Sequence, residues 1–164
     1  MSERFHEIAL EVNGERVSER VDARTTLVDF LREKLALTGS HVGCEHGVCG
    51  ACSVRVNGAV VRGCLMLAVQ CDGLQVTTIE GLSATGEIAD LQRAFIERNA
   101  LQCGYCTPGM LLTAQELLSA GGFPSREAIR TYLSGNYCRC TGYQAIIDAV
   151  EAVAQARAGA QRST

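Results

Sequence analysis

Hydrophobic positions alternate along the first half of the chain and recur at helical spacing along the second. In "FHEIALEV" at residues 5–12, Ile8, Leu10 and Val12 fall on one face of an extended segment. Asn13-Gly14 follows, a pair that accepts the positive φ of a two-residue turn, and "ERVSERV" returns. The pattern is that of a β-hairpin. A second hairpin is predicted from "SVRV" and "AVVR" around Asn57-Gly58, and a last strand near "QVTTI" at 75–79. Between the hairpins a helix is predicted from Thr26, where T-x-x-D forms a cap and Leu27, Phe30, Leu31 and Leu35 recur on one face. Two hairpins with one helix laid across them make a small α+β unit.

Beyond "EGLSATGE" at 80–87 the period lengthens to about 3.6. Ile88, Leu91 and Phe95 share a face, and Leu111, Ala114, Gln115 and Leu118 nearly do. Ala128, Ile129 and Tyr132 form a third face, and Ala145, Ile146, Ala149, Val150 and Val153 a fourth. Four helices are predicted, with "AGGFP" at 120–124 separating the second from the third and a frayed polar tail, "RAGAQRST". On this pattern the chain divides into a strand-built domain, 1–81, and a helical domain, 82–164. In each successive pair of helices the second starts just after two close cysteines. The helical half therefore reads as an internal pseudo-repeat facing one shared ligand.

Composition changes the picture in three places. The 164 residues are 47% hydrophobic but hold no Trp, so the cores must be built from Leu, Val, Ile and Ala. A net charge of -3 gives no basic surplus for nucleic acid. No apolar run approaches a bilayer span, and "MSERFHEIALEV" is too polar for a secretory signal, so a cytoplasmic protein is expected.

Nine cysteines then stand out. A reducing compartment disfavours a disulfide framework and leaves metal ligation open. Cys44, Cys49 and Cys52 form C-x4-C-x2-C, the plant-type pattern for a [2Fe-2S] cluster, with Cys64 as the fourth ligand after a short gap. Gly43, Gly47 and Gly50 let the loop backbone turn N–H groups toward thiolate and sulfide. Cys103 and Cys106 with Cys138 and Cys140 supply four more sulfurs. Zinc is an alternative for this second set, although its usual spacing covers the first pair and not the cramped C-x-C. Iron-sulfur is favoured by the neighbouring ferredoxin pattern and by helix starts at Thr107-Pro108 and Thr141-Gly142, whose positive ends suit an anionic cluster. Arg139 could reinforce that charge or be solvated. Cys71 is expected to be a buried apolar residue in a turn and His41 a loop residue. His46 is not expected to act as a Rieske-type ligand, because four cysteines are at hand. Tyr105 and Tyr137 are expected to shield the second set.

The motifs "GCEHGVCGAC", "QCGYCTPGM" and "NYCRCTGY", in that order across residues 5–155, resemble the small iron-sulfur subunit of the molybdenum hydroxylases. That is the xanthine oxidase family, with aerobic carbon monoxide dehydrogenases and bacterial N-heterocycle hydroxylases among its members. The resemblance implies a β-grasp, plant-type ferredoxin-like domain with one [2Fe-2S] cluster, then an all-α four-helix domain with pseudo-twofold symmetry and a second. It implies single electrons passing from a molybdenum-pterin cofactor in a large subunit, through the two clusters, to FAD in a medium subunit. The expected assembly is a heterotrimer or a dimer of heterotrimers. The Cys103 set would lie nearer molybdenum and the Cys44 set nearer flavin, with Gln102 and Cys140 as neighbours of the pterin. No nucleophile, acid–base pair or phosphate loop stands out, so no substrate-converting site is expected on this chain. Carbon monoxide, an aldehyde and a nitrogen heterocycle all remain open as substrates. A self-standing ferredoxin and a thiol or zinc redox sensor are the competing readings.

Overall fold

Asn13 and Gly14 both take positive φ, 54° and 86°, so β1 (Phe5–Val12) turns directly into β2 (Glu15–Asp22) with Val12 opposite Glu15. Asn57 and Gly58 repeat the device between β3 (Ser53–Val56) and β4 (Ala59–Arg62). In this computed structural model, which describes residues 4–162, β5 (Gln75–Thr77) joins the two hairpins. The sheet order is β2-β1-β5-β3-β4, with β5 parallel to β1 and antiparallel to β3. Side chains alternate across it, and Ile8, Leu10, Val12, Val54, Val56 and Val76 all face one core.

The predicted helix crosses that core. Thr26 caps it, accepting the Asp29 N–H at 3.2 Å and donating to the Asp29 carboxylate at 2.6 Å. Helix α1 (Leu27–Asp29) widens at once into a π turn, Phe30–Lys34. The Leu35 N–H reaches the Phe30 carbonyl, which keeps Leu35 packed against the core side that Phe30 and Leu31 fill.

The last strand is shorter than predicted. The Asn13 side chain accepts the Thr78 N–H at 2.8 Å, and the chain turns there into α2 (Ile79–Ala84). Ile79 looks like the end of an apolar strand in sequence, yet it packs with Leu82 and the helical residues in a second core. Helices α3 (Ala89–Glu97), α4 (Thr107–Ser119), α5 (Arg126–Leu133) and α6 (Gln144–Arg162) follow, one helix more in all than the periodicity predicts. The chain thus combines a ferredoxin-like α+β unit with a helical unit.

Three packing details correct the sequence reading. Helix α4 is buried nearly all round, Met110 and Leu112 included, because it lies between the other helices and the β3–β4 hairpin. The buried residues of α5 are Ile129 and Leu133; Tyr132 points outward and donates to Glu116 at 2.7 Å. The tail expected to fray continues α6 as far as Arg162, and Arg157 grips Asp90 through two bonds of 2.8 and 2.9 Å. Residues 163 and 164 of that tail lie outside the described residues.

Polar bonds lock the units together. Arg55 of β3 pairs with Glu87 at 2.7 Å, and Glu116 of α4 accepts the Val60 N–H of β4 at 2.6 Å. Gly109 lies so close to Gly50 that a Cβ there would overlap the Gly50 carbonyl oxygen.

Candidate metal centres

Cys44, Cys49 and Cys52 of the first set lie on the loop between the π turn and β3, whose backbone takes positive φ at Glu45, Gly47 and Gly50, and Cys64 follows β4. Glycine makes this coil accessible at two of the three positions. The consequence is a concavity of amide donors around one sulfur: the Cys49 N–H reaches Cys44 Sγ at 3.4 Å, and the N–H groups of His46 and Val48 also act on it. Led by the Cys49 bond, these donors bring the Cys44 thiol down to about 6. Cys52 and Cys64, both buried, lie within hydrogen-bonding reach of each other. Burial, then the neighbouring thiol, pushes Cys52 up to about 11.

The second set is assembled from two loops. Cys106 is the residue before α4, where Pro108 occupies the first turn. Cys138 and Cys140 sit between α5 and α6. Sulfurs again stand in twos: Cys140 Sγ lies 3.6 Å from Cys103 Sγ, and Cys106 faces Cys138. Burial and then Cys138 push the Cys106 thiol up to about 12. For Cys138 burial acts upward, but the Thr141 hydroxyl and the N–H groups of Cys140 and Thr141 outweigh it, leaving the thiol below its ordinary value.

Here the structure corrects the predicted helix start. Helix α6 begins at Gln144, and Tyr143 takes a φ of 72°. The Thr141 hydroxyl, donating to Cys138 Sγ at 3.1 Å, supplies the polarity expected of a helix end. Tyr143 accepts the Cys138 N–H at 3.0 Å and fixes the turn.

This donor set fits iron-sulfur chemistry. Within each set thiols stand in twos, and sulfide-bridged iron pairs are held by thiolates two to each metal. Each set combines a thiol drawn below its ordinary value by N–H or hydroxyl donors with a buried thiol pushed above it, and a nearby cation would favour the thiolate of both. The Thr107 hydroxyl, next to Cys106, is enclosed without a hydrogen-bond partner among the described residues, and a sulfide or thiolate acceptor would satisfy it.

Other residues singled out in the sequence take clear places. Gln102 donates to the Cys140 carbonyl at 3.0 Å, and both lie toward the surface beside exposed Cys103. Arg139 is exposed. The His46 ring is engaged by the Cys44 carbonyl. Cys71 is fully buried in the sheet core at the end of a 3-10 turn, and burial pushes its thiol up to about 11. Cys71→Ala is therefore expected to leave the iron content unchanged while costing about 1 kcal/mol of stability; loss of about half the iron would make Cys71 a ligand.

Sequence reasoning missed how the two sets meet. Tyr105, from the second set's loop, stacks on His41 of the first with ring centroids 4.4 Å apart. Its hydroxyl donates to the Val42 carbonyl at 2.7 Å, and its own carbonyl meets His41 Nδ1 at 2.8 Å. Tyr105 and Tyr137 are themselves 47% and 54% exposed, so neither side chain is shut over a site. What Tyr137 supplies is its main chain: the Tyr137 N–H donates to the Cys49 carbonyl at 2.8 Å, tying the residue before Cys138 to a cysteine of the first set.

Fold and thiol sets define a protein with two [2Fe-2S] domains. Residues 10–73 match the family described as 2Fe-2S iron-sulfur cluster binding domain, and residues 78–151 match the [2Fe-2S] binding domain. The chain is 53% identical to the caffeine dehydrogenase gamma subunit of Pseudomonas sp. (strain CBB1), over 90% of each chain. It is 55% identical to the nicotine 6-hydroxylase small subunit of Paenarthrobacter nicotinovorans, over 88% of this chain and 87% of that one. Quinoline 2-oxidoreductase from Pseudomonas putida 86 superposes with a TM-score of 0.89 at 45% identity, over 97% of this chain and 98% of that chain. The chain belongs to the small [2Fe-2S] subunits of the molybdenum hydroxylases, the xanthine oxidase family.

Proposed function

We propose that this chain is the electron-transfer subunit of a molybdenum hydroxylase, linking a large molybdenum-pterin subunit to a medium FAD subunit. Cys44, Cys49, Cys52 and Cys64 would hold one cluster, and Cys103, Cys106, Cys138 and Cys140 the other. When bound, a [2Fe-2S] cluster supplies a one-electron carrier. The chain's own residues hold the two carriers in fixed relation and present each to a partner. The observation that carries this reading is the 2.8 Å bond from the Tyr137 N–H to the Cys49 carbonyl, a direct main-chain bridge between the two thiol sets.

Orientation follows from exposure. Gln102, Cys103 and Cys140 lie toward the surface, which supports the molybdenum-pterin subunit as the neighbour of the second set, with Gln102 and Cys140 at the contact. Val48 and Leu65, 43% and 63% exposed, flank the first set. An apolar rim of this kind favours a docked subunit over a free ferredoxin and suits the FAD partner.

The finer architecture is part of the same reading: a β-grasp domain, 1–81, and a helical domain, 82–164. Val76 packs in one core and Ile79 and Leu82 in the other, which supports a crossing at this turn. The pairs α3–α4 and α5–α6, each leading through two cysteines, support pseudo-twofold symmetry with α2 as an addition. None of the helices in the described residues is long and apolar enough to cross a membrane; nine free thiols suit the cytoplasm. Relatives named for caffeine, nicotine and quinoline favour a nitrogen heterocycle as substrate of the assembled complex.

Purification from the native source tests the proposal. The expected result is a complex of this chain with two larger subunits carrying molybdenum and FAD, reduced by a nitrogen heterocycle. A folded monomer without either partner would overturn it in favour of a self-standing ferredoxin.

A further inference from the structure

Between the two thiol sets lies a cation with no anionic partner among the described residues. Arg62, the last residue of β4, is half-buried and close in sequence to Cys64. Its Nη1 donates to the Ser53 hydroxyl at 2.5 Å, and its Nη2 donates to the Gly135 carbonyl at 2.8 Å and the Asn136 Oδ1 at 3.5 Å. Every one of these partners is neutral. The hydroxyl of Ser53, fully buried, donates in turn to the Gly50 carbonyl at 2.7 Å. Buried Asn136 donates to that same carbonyl at 3.4 Å and accepts from Thr113 at 3.1 Å. The guanidinium thus closes a hydrogen-bonded ring whose members adjoin Cys49 and Cys52 on one side and the Tyr137–Cys138 step on the other.

Two consequences follow. The planar fork fixes the 135–136 turn against the 50–53 turn, and so holds the Tyr137-to-Cys49 bridge in register. Its charge, permanent and not offset by a carboxylate among these partners, also lies between two sites that become more negative on reduction. We infer that Arg62 is a shared positioning residue and counter-charge for both cluster sites, fixing their separation and favouring the reduced state of each. This rests on the two-cluster reading above.

The test is an EPR-monitored redox titration of the full chain in its complex, wild type against Arg62→Gln, Arg62→Met and Arg62→Lys. In the two neutral variants the one-electron reduction equilibrium of both clusters is expected to fall about tenfold, a shift of 59 mV to lower potential. Arg62→Lys, which keeps the charge, is expected to stay near the wild-type potentials while altering the magnetic interaction between the clusters. Gln and Met leave the site by different chemistries, so failure of one to fold leaves the other. Unchanged potentials, a shift confined to one cluster, or a lysine variant as low as the neutral ones would overturn the inference. Wild-type protein lacking two cluster signals would instead sink the two-cluster reading itself, before any variant is compared.

Discussion

The Cys49→Ser chain is expected to keep about half of its iron and acid-labile sulfide and to show one reduced-state signal in place of two. Within the complex, substrate should still reduce molybdenum in a single turnover, while flavin reduction slows by at least the roughly 10–100-fold that a change of an outer-shell partner brings. The substitution is selective because Cys49 has separable roles. Its main chain donates to Cys44 Sγ at 3.4 Å and accepts the Tyr137 N–H at 2.8 Å, and serine preserves both. Only the sulfur is lost. Loss of molybdenum reduction as well would contradict the proposed order, in which the Cys44 set would be the one nearer flavin.

Gly109→Val is expected to have the largest effect of any substitution outside the cysteines themselves. A Cβ at this position overlaps the Gly50 carbonyl oxygen, and the obstacle is backbone that cannot swing aside. Gly50 is held by its φ of 75° and by bonds from Ser53 and Asn136. Helix α4 must therefore shift away from the first loop, at a cost of about 1–3 kcal/mol for alanine and more for valine. Thermal unfolding of the full chain should fall by roughly 3–10 °C for Gly109→Ala. The displacement also pulls the Tyr137 N–H from the Cys49 carbonyl, so magnetic interaction between the clusters should weaken while both ligand sets stay intact. Full stability with an undisturbed interaction would show that the two loops do not depend on this close approach.

Local rules made much of this molecule legible in its sequence. Asn-Gly pairs define both hairpins because only a residue tolerant of positive φ can occupy those turns, and residues 13, 14, 57 and 58 all do so. The alternation of Ile8, Leu10 and Val12 gives a core face because successive strand side chains point to opposite sides of the sheet. Cys44, Cys49 and Cys52, the pair Cys103–Cys106 and the pair Cys138–Cys140 stand out as candidate ligands by their short spacing alone.

What stayed hidden depends on contacts distant in sequence. Ile79 continues an apolar strand pattern, and only the Asn13 bond to Thr78 and the presence of a second core turn it into a helix. Tyr132 and Leu133 are both apolar enough for a core, and Glu116 decides between them by accepting the tyrosine hydroxyl. Arg157 reads as part of a loose tail until Asp90 is brought beside it. Nothing in the sequence marks Arg62, because Gly135 and Asn136, which it grips, lie 73 and 74 residues away. The bridge from Tyr137 to Cys49 is a main-chain contact and leaves no side-chain signature at all.

The most direct test of the two-carrier account is iron, acid-labile sulfide and zinc per chain, on protein purified anaerobically from its native source, with low-temperature EPR after dithionite reduction. The account predicts about four iron and about four sulfide with two distinct rhombic signals. About two iron with about one zinc would contradict it, confining electron transfer to the strand-built domain and making the helical domain a structural zinc module.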